Sequence, residues 1–278
     1  MRTCRIRPAR LFASAAILAA VAAVAAGCQT TQSTATTGSL ALTPPDDRPP
    51  ADWRPYLDTY GQRYRADPSN VAAALHYAQA LRGTGQRAQA LAVLERLSFK
   101  NPYNKTVLAE YGRALAENGD YQQAYDVLGR AHSQDQPDWH ILSAQGAVLD
   151  QMGRHAEAQR YYRTALKIVP NESSVLSNLG LSYALTHDLP DAEKVLRQAA
   201  AQNPVDPRVR QNLALVVGLQ GRFAEAENIA RSDLPPDQAA ANVAYLRQML
   251  ARPDLQKKKA GVRPQRPKLK EARTASGE

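Results

Sequence analysis

Cysteine is nearly missing from this chain. Only Cys4 and Cys28 occur among its 278 residues, so nothing beyond residue 28 can form a disulfide and the body must hold together by packing alone. A nucleophile elbow and paired carboxylates in an apolar setting are also missing, which points away from an enzyme. The apolar run from Leu11 to Ala26 is 16 residues long, short of the roughly 20 that a spanning helix needs. Excess charge is absent where it would count most. The formal charge is +9, yet four positive charges are Arg2, Arg5, Arg7 and Arg10, ahead of the apolar run. Residues 252–278 add nine Lys or Arg against Asp254, Glu271 and Glu278, and residues 52–251 balance to zero. A neutral body with a basic, aromatic-free tail is no stacking platform for bases, so nucleic acid is not expected as a partner.

What the sequence has is a period. Ala78, Gly112, Gly146, Gly180 and Ala214 stand 34 residues apart without an insertion. Ala90, Ala124, Ala158, Ala192 and Ala226 form a second column, and Gly85, Gly119, Gly153, His187 and Gly221 a third that marks a turn. Pro68, Pro102, Pro170 and Pro204 form a fourth, with Gln136 its one gap. Self-similarity at a fixed period of this size is the mark of a helical repeat array. Within one period, Leu176, Leu179, Gly180 and Tyr183 share one helix face at three- and four-residue spacing. His187 and Asp188 make the turn, and Asp191 to Ala201 is read as the second helix, ended at Asn203 and Pro204 because proline cannot continue it. The expected fold is all-α, a superhelical solenoid of about five helix hairpins.

These residues resemble the tetratricopeptide repeat, whose W-x2-L-G-x2-Y, A-x3-F and P pattern is met by Leu176, Leu179, Gly180, Tyr183, Ala192, Leu196 and Pro204. Repeats are placed at 71–104, 105–138, 139–172, 173–206 and 207–238. A leading helix is expected within 52–70, and a closing helix at 239–251 that covers the last apolar face.

The first 28 residues read as an export signal, basic and then apolar. Their ending, AAGC, resembles the lipobox of bacterial lipoproteins, with residues 1–27 as signal peptide. That resemblance implies lipid attachment at Cys28. Several acyl chains on one residue would give a stable anchor, since a single chain binds only marginally. Gln29, rather than aspartate, follows it, and the resemblance then favours the outer membrane with the chain facing the periplasm. Residues 28–51, rich in Thr, Ser, Ala and Pro, read as a flexible tether. The tail, 252–278, reads as disordered, either merely solvating or in weak contact with anionic envelope polymers or an acidic patch on a partner.

Two local patterns imitate chemistry. Gly83, Gly85 and Ala88 spell GxGxxA, but no strand precedes them and Gly85 is a turn residue of the array. His132, Asp135, Asp138 and His140 crowd one junction at spacings that match no compact ligand pattern. No cofactor, metal or small-molecule substrate is expected.

Residues 207–228, PRVRQNLALVVGLQGRFAEAEN, and the following DLPPDQAAANVAYLRQML look like the end of the TadD-type lipoproteins of the tight adherence (Tad/Flp) pilus system. The resemblance implies a pilus-assembly scaffold that supports the outer-membrane secretin through protein–protein interactions. The competing expectation is an adaptor lipoprotein that delivers peptidoglycan hydrolases or envelope proteases. For either, a partner-binding groove is expected on a second face of the first helices. Ser174, Asn178, Leu181 and Leu185 form one stripe, and Arg208, Asn212, Leu215 and Leu219 the next. The stripe of repeat two, Thr106, Glu110, Arg113 and Glu117, is polar instead. The alternative is that the leucines pack between neighbouring first helices.

Overall fold

A computed structural model describes residues 53–133, 135–202 and 206–251. Residues 1–52, with the expected signal, Cys28 and the tether, lie outside the described residues, as do the tail from 252 onward and Pro204. The described residues form twelve helices and no strand. A leading helix, α1 (Arg54–Ala66), is followed by five hairpins. These are α2 (Val71–Gly83) with α3 (Arg87–Lys100), α4 (Lys105–Asn118) with α5 (Tyr121–Arg130), and α6 (Trp139–Gln151) with α7 (His155–Ile168). Then come α8 (Ser173–Leu185) with α9 (Leu189–Ala200), and α10 (Pro207–Leu219) with α11 (Phe223–Ala230). A closing helix, α12 (Pro236–Leu250), ends the array.

Each hairpin is built from the periodic columns. The turn column adopts left-handed backbone throughout, with φ of 80°, 92°, 75° and 85° at the four glycines and 64° at His187. A glycine adopts that conformation freely, whereas a side chain crowds the next carbonyl. The small column is a set of sockets. A Cβ added to Gly112, Gly146 or Gly180 would lie 2.7, 2.6 or 2.6 Å from Leu128, Tyr162 or Leu196, which hold the same position on the second helix of each hairpin. These knobs are themselves 34 residues apart and almost fully buried.

A fifth column starts the first helices. Asn70, Asn104, Asp138, Glu172 and Asp206 each accept a hydrogen bond from a first-turn backbone N–H. A helix leaves its first N–H groups without intrahelical partners, and these side chains supply one.

Two helix starts differ from the sequence reading, for one reason. The second helix of repeat four begins at Leu189 rather than Asp191, and the closing helix at Pro236 rather than 239. In both cases a proline sits in the first turn, where its missing N–H costs no hydrogen bond. The array is closed at both ends by aromatic or aliphatic plugs on glycine. Trp53 lies against Gly83, and Leu246 of α12 against Gly218 of α10. The joint between repeats two and three has the longest connector of the hairpin joints: residues 131–138 separate α5, which has 10 residues where α3 and α7 have 14, from α6.

Candidate functional site

Contacts between successive first helices, α2 with α4, α4 with α6, α6 with α8 and α8 with α10, recur along the array. They put these helices on the inner side of the superhelical curve, where an extended partner would be held. The inner side is joined from repeat to repeat by polar groups.

At the N-terminal end the joints are ionic. Arg82 on α2 donates to Glu110 at 2.9 Å and, through Nε, to Glu117 at 2.9 Å, both on α4. Arg113, itself buried, pairs with Glu110. Three of the four residues of the repeat-two stripe are therefore tied into one network, while Thr106 is exposed.

In the middle the hub is Asp150. His155 Nδ1 lies 2.8 Å from its carboxylate, Ser182 of the next repeat donates at 2.8 Å, and the Tyr162 hydroxyl donates at 3.1 Å. Burial pushes the Asp150 carboxyl above its ordinary range, against the pull of these partners. Burial, and then the Asp150 charge, push the Tyr162 phenol far up, so that it stays a donor.

Towards the C-terminus the joints are neutral. Asn178 Nδ2 donates to Ser143 Oγ at 3.4 Å, and Asn212 Nδ2 donates to Ser177 Oγ at 2.9 Å. Each asparagine thus reaches back to the preceding first helix with one N–H. Its carbonyl oxygen and second N–H have no partner among the described residues.

The eight stripe residues of repeats four and five are placed as follows. Ser174 is half-buried and donates to Glu172 at 2.8 Å. Leu181, Leu185, Leu215 and Leu219 are half-buried. Among the described residues, none of the four belongs to a buried core cluster or packs against one. By contrast, Leu176 and Leu179, on the opposite face of the same helix, are 2% and 3% exposed. Arg208 is exposed and its guanidinium is held by Asp206, the cap of its own helix, at 2.8 Å. A partner's carboxylate would have to compete with that pair.

The crowded junction after repeat two resolves into pairs: His140 Nδ1 lies 3.0 Å from Asp138, and His132 Nε2 lies 3.1 Å from Gln145 Oε1. His132 and Gln145 line a cleft of about 550 Å³ together with Tyr125, Arg160 and Tyr161. The Tyr125 and Tyr161 hydroxyls are 2.6 Å apart, and burial, followed by this neighbour, holds the Tyr161 phenol up at about 12.

The Asn–Ser joints and the cap column were missed in the sequence. The caps were there to be found at period 34. The Asn–Ser pairs are 35 residues apart, because they cross from one repeat to the next, and no column at the repeat period contains both partners.

Two spans match tetratricopeptide-repeat models, residues 78–137 and residues 151–216. Comparison with curated protein sequences returns no match. Among solved structures, MamA is similar at 24% identity over 53% of this chain and 86% of its own, with a TM-score of 0.46. The APC/C hetero-tetramer Cut9-Hcn1 is similar at 18% identity over 69% of this chain and 39% of that one, with a TM-score of 0.55. YrrB, described as a tetratricopeptide-repeat protein with an unusual peptide-binding site, is similar at 17% identity over 73% and 99%, with a TM-score of 0.46. At such identities the likeness speaks for the fold alone, and the Cut9-Hcn1 match agrees with an all-helical solenoid. Tetratricopeptide-repeat proteins mediate protein–protein interactions. The socketed helix hairpins that recur every 34 residues, together with the two matched spans, identify the array as one of tetratricopeptide repeats.

Proposed function

We propose that this chain is a periplasm-facing scaffold, anchored in the outer membrane through lipid on Cys28, that holds protein subunits during assembly of a tight adherence (Tad/Flp) pilus, with the secretin as the supported partner. The pilus assignment draws on the resemblance of residues 207–228 and the segment after them to TadD-type lipoproteins. One structural observation supports a binding role at this end of the array. The leucines of repeats four and five stand half-buried outside the core clusters, beside two asparagines whose carbonyl and second N–H have no partner among the described residues. That combination suits an extended segment: amide groups pair with its backbone while leucines cover its apolar side chains.

Photocrosslinkers placed at Leu185 and Leu219 in the native envelope test this reading. Capture of the secretin or another pilus-assembly subunit is the expected result. Capture of a peptidoglycan hydrolase or envelope protease would replace it with the adaptor reading. An absence of any crosslink from either position, with the protein folded and present, would remove the groove from the proposal.

A further inference from the structure

On the outside of the array, at the joint between repeats one and two, two aromatic rings stand in solvent. Phe99, near the end of α3, is 88% exposed, and Tyr103, in the loop before α4, is 90% exposed. The repeat pattern does not ask for them: the equivalent positions are Arg65, Ser133, Lys167 and Ala201 for Phe99, and Ser69, Pro137 and Asn171 for Tyr103. Nor do they serve the core, since exposure this large leaves almost no packing.

Cations flank the rings along the sequence. Lys100 follows Phe99, Lys105 lies two residues after Tyr103, and Arg96 and Arg130 hold the same position on consecutive second helices. The Arg130 guanidinium donates to the Pro102 carbonyl at 3.0 Å, which fixes it beside Tyr103. All four cations are exposed. Most arginines of the array are neutralised in ion pairs, among them Arg82, Arg113, Arg154, Arg197, Arg210 and Arg222. Arg96, Lys100, Lys105 and Arg130 make no ion pair with any described residue, although Lys100 lies near enough to Asp67 to favour its charged form.

We propose that this corner is a membrane-docking surface: Phe99 and Tyr103 enter the interfacial layer of an anionic bilayer while Arg96, Lys100, Lys105 and Arg130 meet its lipid phosphates. Aromatic rings favour that layer, and lysine or arginine near an anionic leaflet adds attraction for each charge. The shape favours a bilayer over an acidic protein segment. The rings project from the end of α3 and the loop after it, and neither the cleft at Tyr125 and Tyr161 nor the one at Tyr60 and His76 includes them. A soft planar surface can receive protruding rings, whereas a bound segment would leave them largely in water. The docking needs only that the chain meets an anionic bilayer, so it stands apart from the pilus assignment.

The test uses the full chain carrying Tyr103→Trp, with vesicles of phosphatidylethanolamine and phosphatidylglycerol whose acyl chains are brominated. The readout is local, so attachment through another part of the chain does not mimic it. The introduced indole should be quenched on the order of twofold or more beyond the background from Trp53 and Trp139 in the parent, and the effect should fade in high salt, where surface charge is screened. Lys100→Glu with Lys105→Glu in the same background should abolish the extra quenching, with far-UV circular dichroism unchanged. Quenching no greater than in the parent would overturn the proposal. So would an emission shift produced by polyglutamate but not by the vesicles, which would make the corner a site for acidic protein.

Discussion

At His187 a side chain occupies a position where every other repeat has glycine, and its φ of 64° is the one left-handed value at a non-glycine among the described residues. Replacing it should relieve crowding that exceeds the entropy glycine loses on folding. His187→Gly is expected to stabilise the array by up to about 1 kcal/mol, read as a rise in melting temperature. The opposite holds at the sockets. Gly180→Ala puts a methyl 2.6 Å from the Leu196 branch carbon, and overpacking of this kind costs about 1 to 3 kcal/mol. If Gly180→Ala melted with the parent, the socket account would fail. Both columns were legible in the sequence, because a turn that needs left-handed backbone and a helix pair that needs close approach each admit few residue types. The cap column was harder to see, since asparagine, aspartate and glutamate share an acceptor oxygen rather than a shape. Arg208 shows another limit: its place on the stripe was readable, but its engagement with Asp206 two residues away was not.

Single helices depend on their ends. Asn104 accepts from the Val107 N–H, so Asn104→Ala should cost about 1 kcal/mol in a chemical-denaturation series. The joint between α9 and the last hairpin depends on pH as well. Glu193 accepts from Arg222 at 2.7 Å, from Gln220 at 2.8 Å and from Arg197 at 2.8 Å. Burial alone would raise its carboxyl, but the hydrogen bonds from Arg222, Gln220 and Arg197 outweigh it and hold it down at about 2. A folded-state value below the unfolded one means that the ionised form favours folding. That contribution is complete above the unfolded carboxylate range and disappears as pH falls towards 2. Melting temperature should therefore decline between about pH 4.5 and pH 2, and Glu193→Gln should show a shallower decline over that window. Equal slopes in the two proteins would show that other carboxylates control acid unfolding. No sequence pattern announced this network, because its four residues come from two repeats and a turn.

An array of this kind is stabilised by nearest neighbours, so its ends matter out of proportion to their size. Leu246→Ala removes the half-buried plug that α12 sets against Gly218 and should cost on the order of 1 to 2 kcal/mol locally. Hydrogen exchange should then quicken in α10 and α11 first, with α4 to α7 protected as before. A uniform loss of protection would mean that the described residues unfold as one unit. At the scale of the cell, Cys28→Ala is expected to release the protein from the membrane fraction with circular dichroism unchanged, because burial of acyl chains is the proposed anchor. Unaltered membrane retention would count against lipidation. The joint at residues 131–138 has a mechanical consequence. Connectors of four to six residues, 101–104, 169–172 and 201–206, link the other hairpins, whereas eight, residues 131–138, separate α5 from α6. A spring with one compliant coil takes up most of its extension there, so a load applied across this superhelix would open the angle between repeats two and three before it disturbed any socket.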